Sequence, residues 1–199
     1  MKNARVWFRV FVLVSSGLLL YSWFVPWWAA RVQELRGKDH VVIHPWGLQV
    51  NSPRILQYLP PEVDLEMPGW FAPAMWAYLG LVIALLAFSL FAKEKGFNVW
   101  RVRLTLPSLI IGAVGLSYIG VLITAAGVMT IRLADADMPL TGRVVVSVGS
   151  DIGTGIVYTG IQLGYMLAAA AGLLLIILAF LRNKIIGINN RELKKGDEV

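Results

Sequence analysis

The chain has 199 residues, of which 57% are apolar and only 15% charged, with a formal net charge of +6. Its mean hydropathy is +0.67. Soluble domains carry about 45–50% apolar and about 25% charged residues, so an ordinary soluble enzyme, a disordered chain and a nucleic-acid-binding domain are all excluded. With eight Trp and no Cys, a disulfide scaffold and any thiolate metal site are excluded as well.

The first element is an uncharged run, Val10 to Ala30, behind Lys2, Arg5 and Arg9. A bilayer core of about 30 Å needs roughly 20 helical residues, so a first span is expected over about 8–30. The run is too long for the apolar part of a signal peptide. Val25-Pro26-Trp27-Trp28-Ala29-Ala30 also offers no small-x-small cleavage site, because Trp28 is bulky. It is therefore expected to stay as an uncleaved span.

Loop 31–66 follows. His40-Val41-Val42-Ile43-His44 and Gly47-Leu48-Gln49-Val50 are short, β-branched and bounded by turn residues, which predicts strands. His40 and His44 are the only histidines, and Asp39 adjoins the first. On one strand, positions four apart share a face, and two imidazoles there could bind copper or zinc. Two ligands do not close a site, so Asp135, Asp137 or Glu66 would have to supply a third. The alternative is a pair of surface or interface histidines with no cofactor. Glu62, Asp64 and Glu66 form an acidic rim before the next span.

A second span is expected over 70–92, within the uncharged run Met67 to Ala92. The loop 93–103 carries Lys93, Lys95, Arg101 and Arg103. A third span is expected over 104–130. It places Ala113, Ser117, Gly120, Thr124 and Gly127 at alternating helical steps. Loop 132–151 holds Gly142-Arg-Val-Val-Val-Ser-Val148, which again predicts a strand, and ends at Asp151, a candidate helix N-cap. The fourth span, expected over 153–181, carries Gly160, Gly164, Ala168 and Gly172 at steps of four. Small residues at such spacing let helices approach closely in lipid. The two stripes are therefore expected to be helix-packing seams, within one bundle or toward another chain.

The N-terminus, loop 93–103 and the tail after residue 181 hold twelve of the eighteen Lys and Arg residues. The positive-inside rule then puts both termini in the cytoplasm of a plasma-membrane protein. On that orientation Trp23, Trp27, Trp28, Trp70 and Trp76 lie at the outer boundary and Trp7 and Trp100 at the inner one, as interfacial anchors. The basic balance suits anionic lipid rather than nucleic acid. No Asp, Glu, Lys, Arg or His lies in a span beyond its terminal turns, so a proton-coupled transporter is not expected. The spans also lack histidine for a haem, and no hydrolase or zinc-protease motif is present.

The expected architecture is an all-α membrane protein: one domain, a four-transmembrane-helix bundle with a small outer β-sheet from both outer loops. This plan resembles the claudin and peripheral myelin protein superfamily, and two local features add to the resemblance. Pro26-Trp27-Trp28 looks like that family's Pro-x-Trp, and Trp46-Gly47-Leu48 follows at a spacing similar to its Gly-Leu-Trp element. By position Trp28 matches the family tryptophan, and Gly47 and Leu48 its Gly-Leu. Gln49 stands where the second tryptophan belongs, and the two cysteines that follow it in claudins are absent. The resemblance implies a junction or adhesion role. The residues themselves point to a non-catalytic accessory or structural subunit that meets membrane lipids, other integral membrane subunits or a second copy of itself. A membrane oxidoreductase or copper-dependent monooxygenase subunit, with the metal at His40 and His44, is the alternative.

Overall fold

A computed structural model describes residues 2–35, 39–52, 54, 67–92, 96–99, 102–134, 137–148 and 153–186. Four helices are long and apolar enough to cross a membrane: α1 (Lys2–Phe24), α2 (Phe71–Phe91), α3 (Leu106–Ala134) and α4 (Leu163–Ile186). Only 22–39% of each apolar window is buried within the chain. Leu116, Ile123, Ile131 and Phe91 are among the large side chains left exposed. A soluble helix would turn a polar face outward. These helices are apolar all round, as a lipid-facing helix is.

Two of the expected spans have other limits in the structure. α1 stops at Phe24, not near residue 30. Val25 precedes Pro26, and a residue before proline is pushed out of the helical region. The chain then enters β1 (Trp28–Val32). The expected fourth span over 153–181 is in fact a strand, β7 (Gly153–Ile161), followed by α4. Gly153, Gly155 and Gly160 disfavour helix, and Thr154, Ile156, Val157, Thr159 and Ile161 are β-branched. The helix start at Leu163 also removes Asp151 as its N-cap; Asp151 itself lies outside the described residues.

The chain forms two compact units. One holds residues 1–20, 77–120 and 169–199. Its interior is made of Val12, Leu19, Leu86, Ile111, Tyr118 and Leu175, all fully or almost fully buried. α3 and α4 approach closely there. A Cβ on Gly115 would lie 2.9 Å from the Gly172 carbonyl oxygen, and one on Gly172 would lie 3.0 Å from Ile119. Gly172 is thus at a helix contact, and Ala168 is fully buried. The α3 side of the contact is Gly115, not the expected stripe. Gly120 and Gly127 are exposed, and a Cβ on either would meet nothing within 4 Å. The loop expected over 93–103 contains a hairpin, β4 (Gly96–Val99) with β5 (Val102–Thr105). Thr105 directly precedes α3, its hydroxyl 3.0 Å from that of Ser108.

The other unit holds residues 21–76 and 121–168. Its centre is an antiparallel five-stranded sheet in the order β3-β2-β1-β7-β6. β2 (Val41–His44), β3 (Gly47–Val50) and β6 (Gly142–Val148) fall where strands are expected, except that β2 starts after His40. β1 and β7 supply the middle of the sheet. Trp28, Ala30, Val32, Val41 and Val157 form a buried cluster with Leu133 and Met138. Gly160, expected on a helical seam, is in β7 opposite Ala29.

Gly164 has a different reason to be glycine. Its N–H donates to the Pro26 carbonyl at 3.1 Å, and a Cβ would strike the backbone oxygens of Val25 and Pro26. Backbone cannot swing aside as a long side chain can. Gly164→Ala is therefore expected to lower stability by about 1–3 kcal/mol, the range for overpacking. Gly120→Ala, with open space around it, should stay within about 0.5 kcal/mol. Thermal unfolding in detergent, followed by tryptophan fluorescence, compares the two.

Candidate functional site

Several serine and threonine hydroxyls along the helices are used locally. Ser15 and Ser16 donate to the Phe11 and Val12 carbonyls at 2.9 and 2.8 Å, and Thr130 donates to Ala126 at 2.8 Å. These bonds satisfy the hydroxyls within their own helix. Near the end of α4, Arg182 is buried. It donates to the Thr105 hydroxyl, and its guanidinium carbon lies 5.3 Å from the centre of the Phe8 ring.

The two histidines have separate environments. His40 lies just outside β2 and is 2% exposed. Its Nδ1 accepts from the Val32 N–H at 3.1 Å, its own N–H donates to Ala30 at 3.0 Å, and its carbonyl accepts from Asn51 at 2.7 Å. The Asp39 carbonyl accepts from the Asn51 side-chain amide at 3.1 Å. These contacts pin the start of β2. His44 instead stacks on Trp46, with ring centres 4.9 Å apart and an interplanar angle of 11°. Among the described residues, no group of three or more His, Asp or Glu side chains is placed to hold a metal ion. Asp137, offered as a third ligand, belongs to no such group; Asp135 and Glu66 lie outside the described residues.

The stack continues. Trp46 faces Trp76 at 6.3 Å, and Trp76 meets Trp23 edge-on at 5.9 Å. Among the described residues, the indole nitrogens of Trp23 and Trp46 and the Nδ1 of His44 are buried without a hydrogen-bond partner. Burial penalises the imidazolium, so the His44 pKa is lowered from its ordinary 6.5.

Beside His44 is an apolar cavity of about 140 Å³. Trp27, Trp28, Phe71, Met75, Met129 and Tyr165 make much of its wall. The tryptophans expected as interfacial anchors thus divide. Trp7, Trp70 and Trp76 are exposed; Trp23, Trp27 and Trp28 are 0–4% exposed and pack inside. Trp100 lies outside the described residues. Trp27 donates to the Ser22 carbonyl at 3.0 Å, and Trp28 to Leu140 at 2.8 Å. Tyr165 donates to Leu122 at 3.2 Å and meets the Trp27 ring edge-on.

The residues singled out in the outer-loop motif are placed on the same unit. Pro26 leads into β1 and Trp28 opens it, while Trp46 turns the chain from β2 into β3, which Gly47 and Leu48 begin. The cavity itself has no sequence signature. Its wall residues are scattered from Trp27 to Tyr165, and each taken alone looks like ordinary core. No protein-family model matches the chain, and no curated protein matches it.

The His44 shift has a definite sign. The unfolded chain takes up the imidazole proton near pH 6.5, whereas the folded chain resists it until a lower pH. The stabilising contribution is complete above 6.5 and is lost as pH falls from there toward the folded value. Unfolding midpoints at pH 7.5 and 5.5 should therefore drop further for the wild type than for His44→Phe, which cannot titrate at that position.

Proposed function

We propose that the protein is a non-catalytic integral membrane subunit, accessory or structural in role. It packs laterally with other membrane chains through its apolar helices and offers its five-stranded sheet as a contact surface. The observation that carries this reading is the free edge of β6. Ile156 accepts from the Gln33 N–H at 2.9 Å, so its backbone faces β1. Its partner across the β6–β7 pair is Val145. Backbone groups alternate sides along an antiparallel strand, so the N–H and C=O of Val145 point away from β7, as do those of Arg143 and Ser147.

Among the described residues no strand pairs with that side of β6. Val145 is 64% exposed on the sheet face. Edge strands are normally blunted by charge, proline or short length, but β6 runs for seven residues and its middle is Val144-Val145-Val146. An extended segment of a neighbouring chain can add to such an edge through backbone hydrogen bonds. On the orientation that the basic residues imply, the sheet lies on the outer side of the plasma membrane, with both termini inside. The bonding of the Ser15, Ser16 and Thr130 hydroxyls within their own helices supports a passive rather than a catalytic role.

Val145→Pro removes one outward N–H and no bond to β7. Purification in mild detergent should yield a complex with other membrane chains from the wild type and several-fold less of it from Val145→Pro, while the variant still elutes as a folded species. A wild-type protein that is a lone dispersed monomer in the same detergent would overturn the reading. So would a complex that Val145→Pro leaves intact.

A further inference from the structure

The cavity beside His44 combines three properties. Its wall is almost wholly apolar, and the polar atoms that do reach it are nearly all engaged. The indole N–H groups of Trp27 and Trp28 and the hydroxyl of Tyr165 each donate to a backbone carbonyl. The exception is His44, which lines the cavity, is 8% exposed and has a buried Nδ1 with no partner among the described residues. Such a nitrogen costs about 1–3 kcal/mol if it stays unbonded.

Size decides what fits. An apolar cavity of about 150 Å³ takes a benzene-sized molecule, so about 140 Å³ takes a ring or a short length of hydrocarbon chain. A single metal ion would leave most of that space empty. A sugar or nucleotide would bring many polar groups to a wall that offers one. The helical side of the wall also sets the route. Phe71, Met75, Val121 and Ala125 are half-buried and Val128 is exposed, and all five belong to helices with the length and hydropathy of membrane spans. Met67, Met75 and Met129 also line it, and unbranched thioethers adapt to a flexible occupant.

We propose that this cavity is a lipid-binding site. An acyl chain enters between α2 and α3, and the lipid's ester carbonyl accepts a hydrogen bond from His44 Nδ1. The imidazole, kept neutral by burial, places its proton on that nitrogen when the carbonyl is present. The rest of the lipid remains in the bilayer.

The test uses the purified full chain in detergent with a trace of phosphatidylcholine carrying a diazirine in one acyl chain. After photolysis, crosslinks should concentrate on the segments around Met75 and Met129. Ala125→Trp, which fills the cavity, should lower that labelling at least about fivefold, because a close-packed site has no room for both groups. Leu116→Trp, on an exposed position of α3, should leave it unchanged. A second measurement needs no variant. On the wild type, an unlabelled ester lipid should compete about three- to tenfold better than its ether analogue, the difference one hydrogen bond makes. Labelling spread evenly over the exposed helix faces, or undiminished in a folded Ala125→Trp protein, overturns the site. Equal competition by ester and ether lipids overturns the role of His44.

Discussion

The pairing of β1 with β7 is the contact on which the rest of the sheet unit depends. β1 begins four residues after α1 ends, and β7 ends two residues before α4 begins. Their ladder runs from Trp28–Ile161 to Val32–Val157. It continues past the strands, through Gln162 donating to Trp27 at 2.9 Å and Gly164 donating to Pro26 at 3.1 Å. The end of one apolar helix is thereby tied to the start of another by consecutive backbone hydrogen bonds. Helix termini leave several backbone groups without intrahelical partners, and near lipid an unmet group is costly. Here the strand ladder meets part of that demand. The same pairing also sets Trp27, Trp28, Ile161 and Tyr165 around one space, so the cavity is a consequence of how the two helix ends are joined.

The four helices were legible because charge is excluded from lipid. Their limits were not, because charge is excluded equally from the middle of a sheet. The uncharged run from Ile152 to Leu181 contains a nine-residue strand and a helix, and nothing in its hydropathy separates them. The clue was conformational. Three glycines and a set of β-branched residues crowd the first ten positions, whereas Leu and Ala dominate the rest. The same confusion turned Gly160 into part of a helical stripe. β2, β3 and β6 were legible because they are short, rich in β-branched residues and bounded by turn residues. The short β4–β5 hairpin does alternate, in Phe97-Asn98-Val99 and Val102-Arg103-Leu104-Thr105, but its basic residues marked the segment only as a loop.

The candidate site was legible only at one point. His44 stood out as one of two histidines, but the expected chemistry was coordination beside carboxylates. The structure gives it an aromatic plane on one side and an apolar cavity on the other. Spacing could not reveal this, since the groups that surround it come from β1, β2, α2, α3 and α4. The tryptophans misled for a related reason. An indole suits a membrane interface and a protein interior equally well. What separates Trp27 and Trp28 from Trp70 is whether a backbone carbonyl lies within reach of the ring nitrogen, and that is a property of the fold.

The stack from His44 through Trp46 and Trp76 to Trp23 shows where this packing is incomplete. Aromatic pairs contribute about 0.5–1.5 kcal/mol each beyond their burial. The three buried nitrogens along the stack each cost about 1–3 kcal/mol when unbonded, so stacking does not fully offset them. A chain selected only for stability could replace these rings with hydrocarbon of similar volume at little loss, and it would have no reason to keep an imidazole beside an apolar cavity. The arrangement is consistent with a wall whose final hydrogen bond comes from another molecule. The free edge of β6 has the same character at the backbone level: Val145 holds a donor and an acceptor ready, with no strand among the described residues to receive them. In both places the polar groups left over after folding are single and directional, and they sit beside surfaces that only apolar or extended partners would fit.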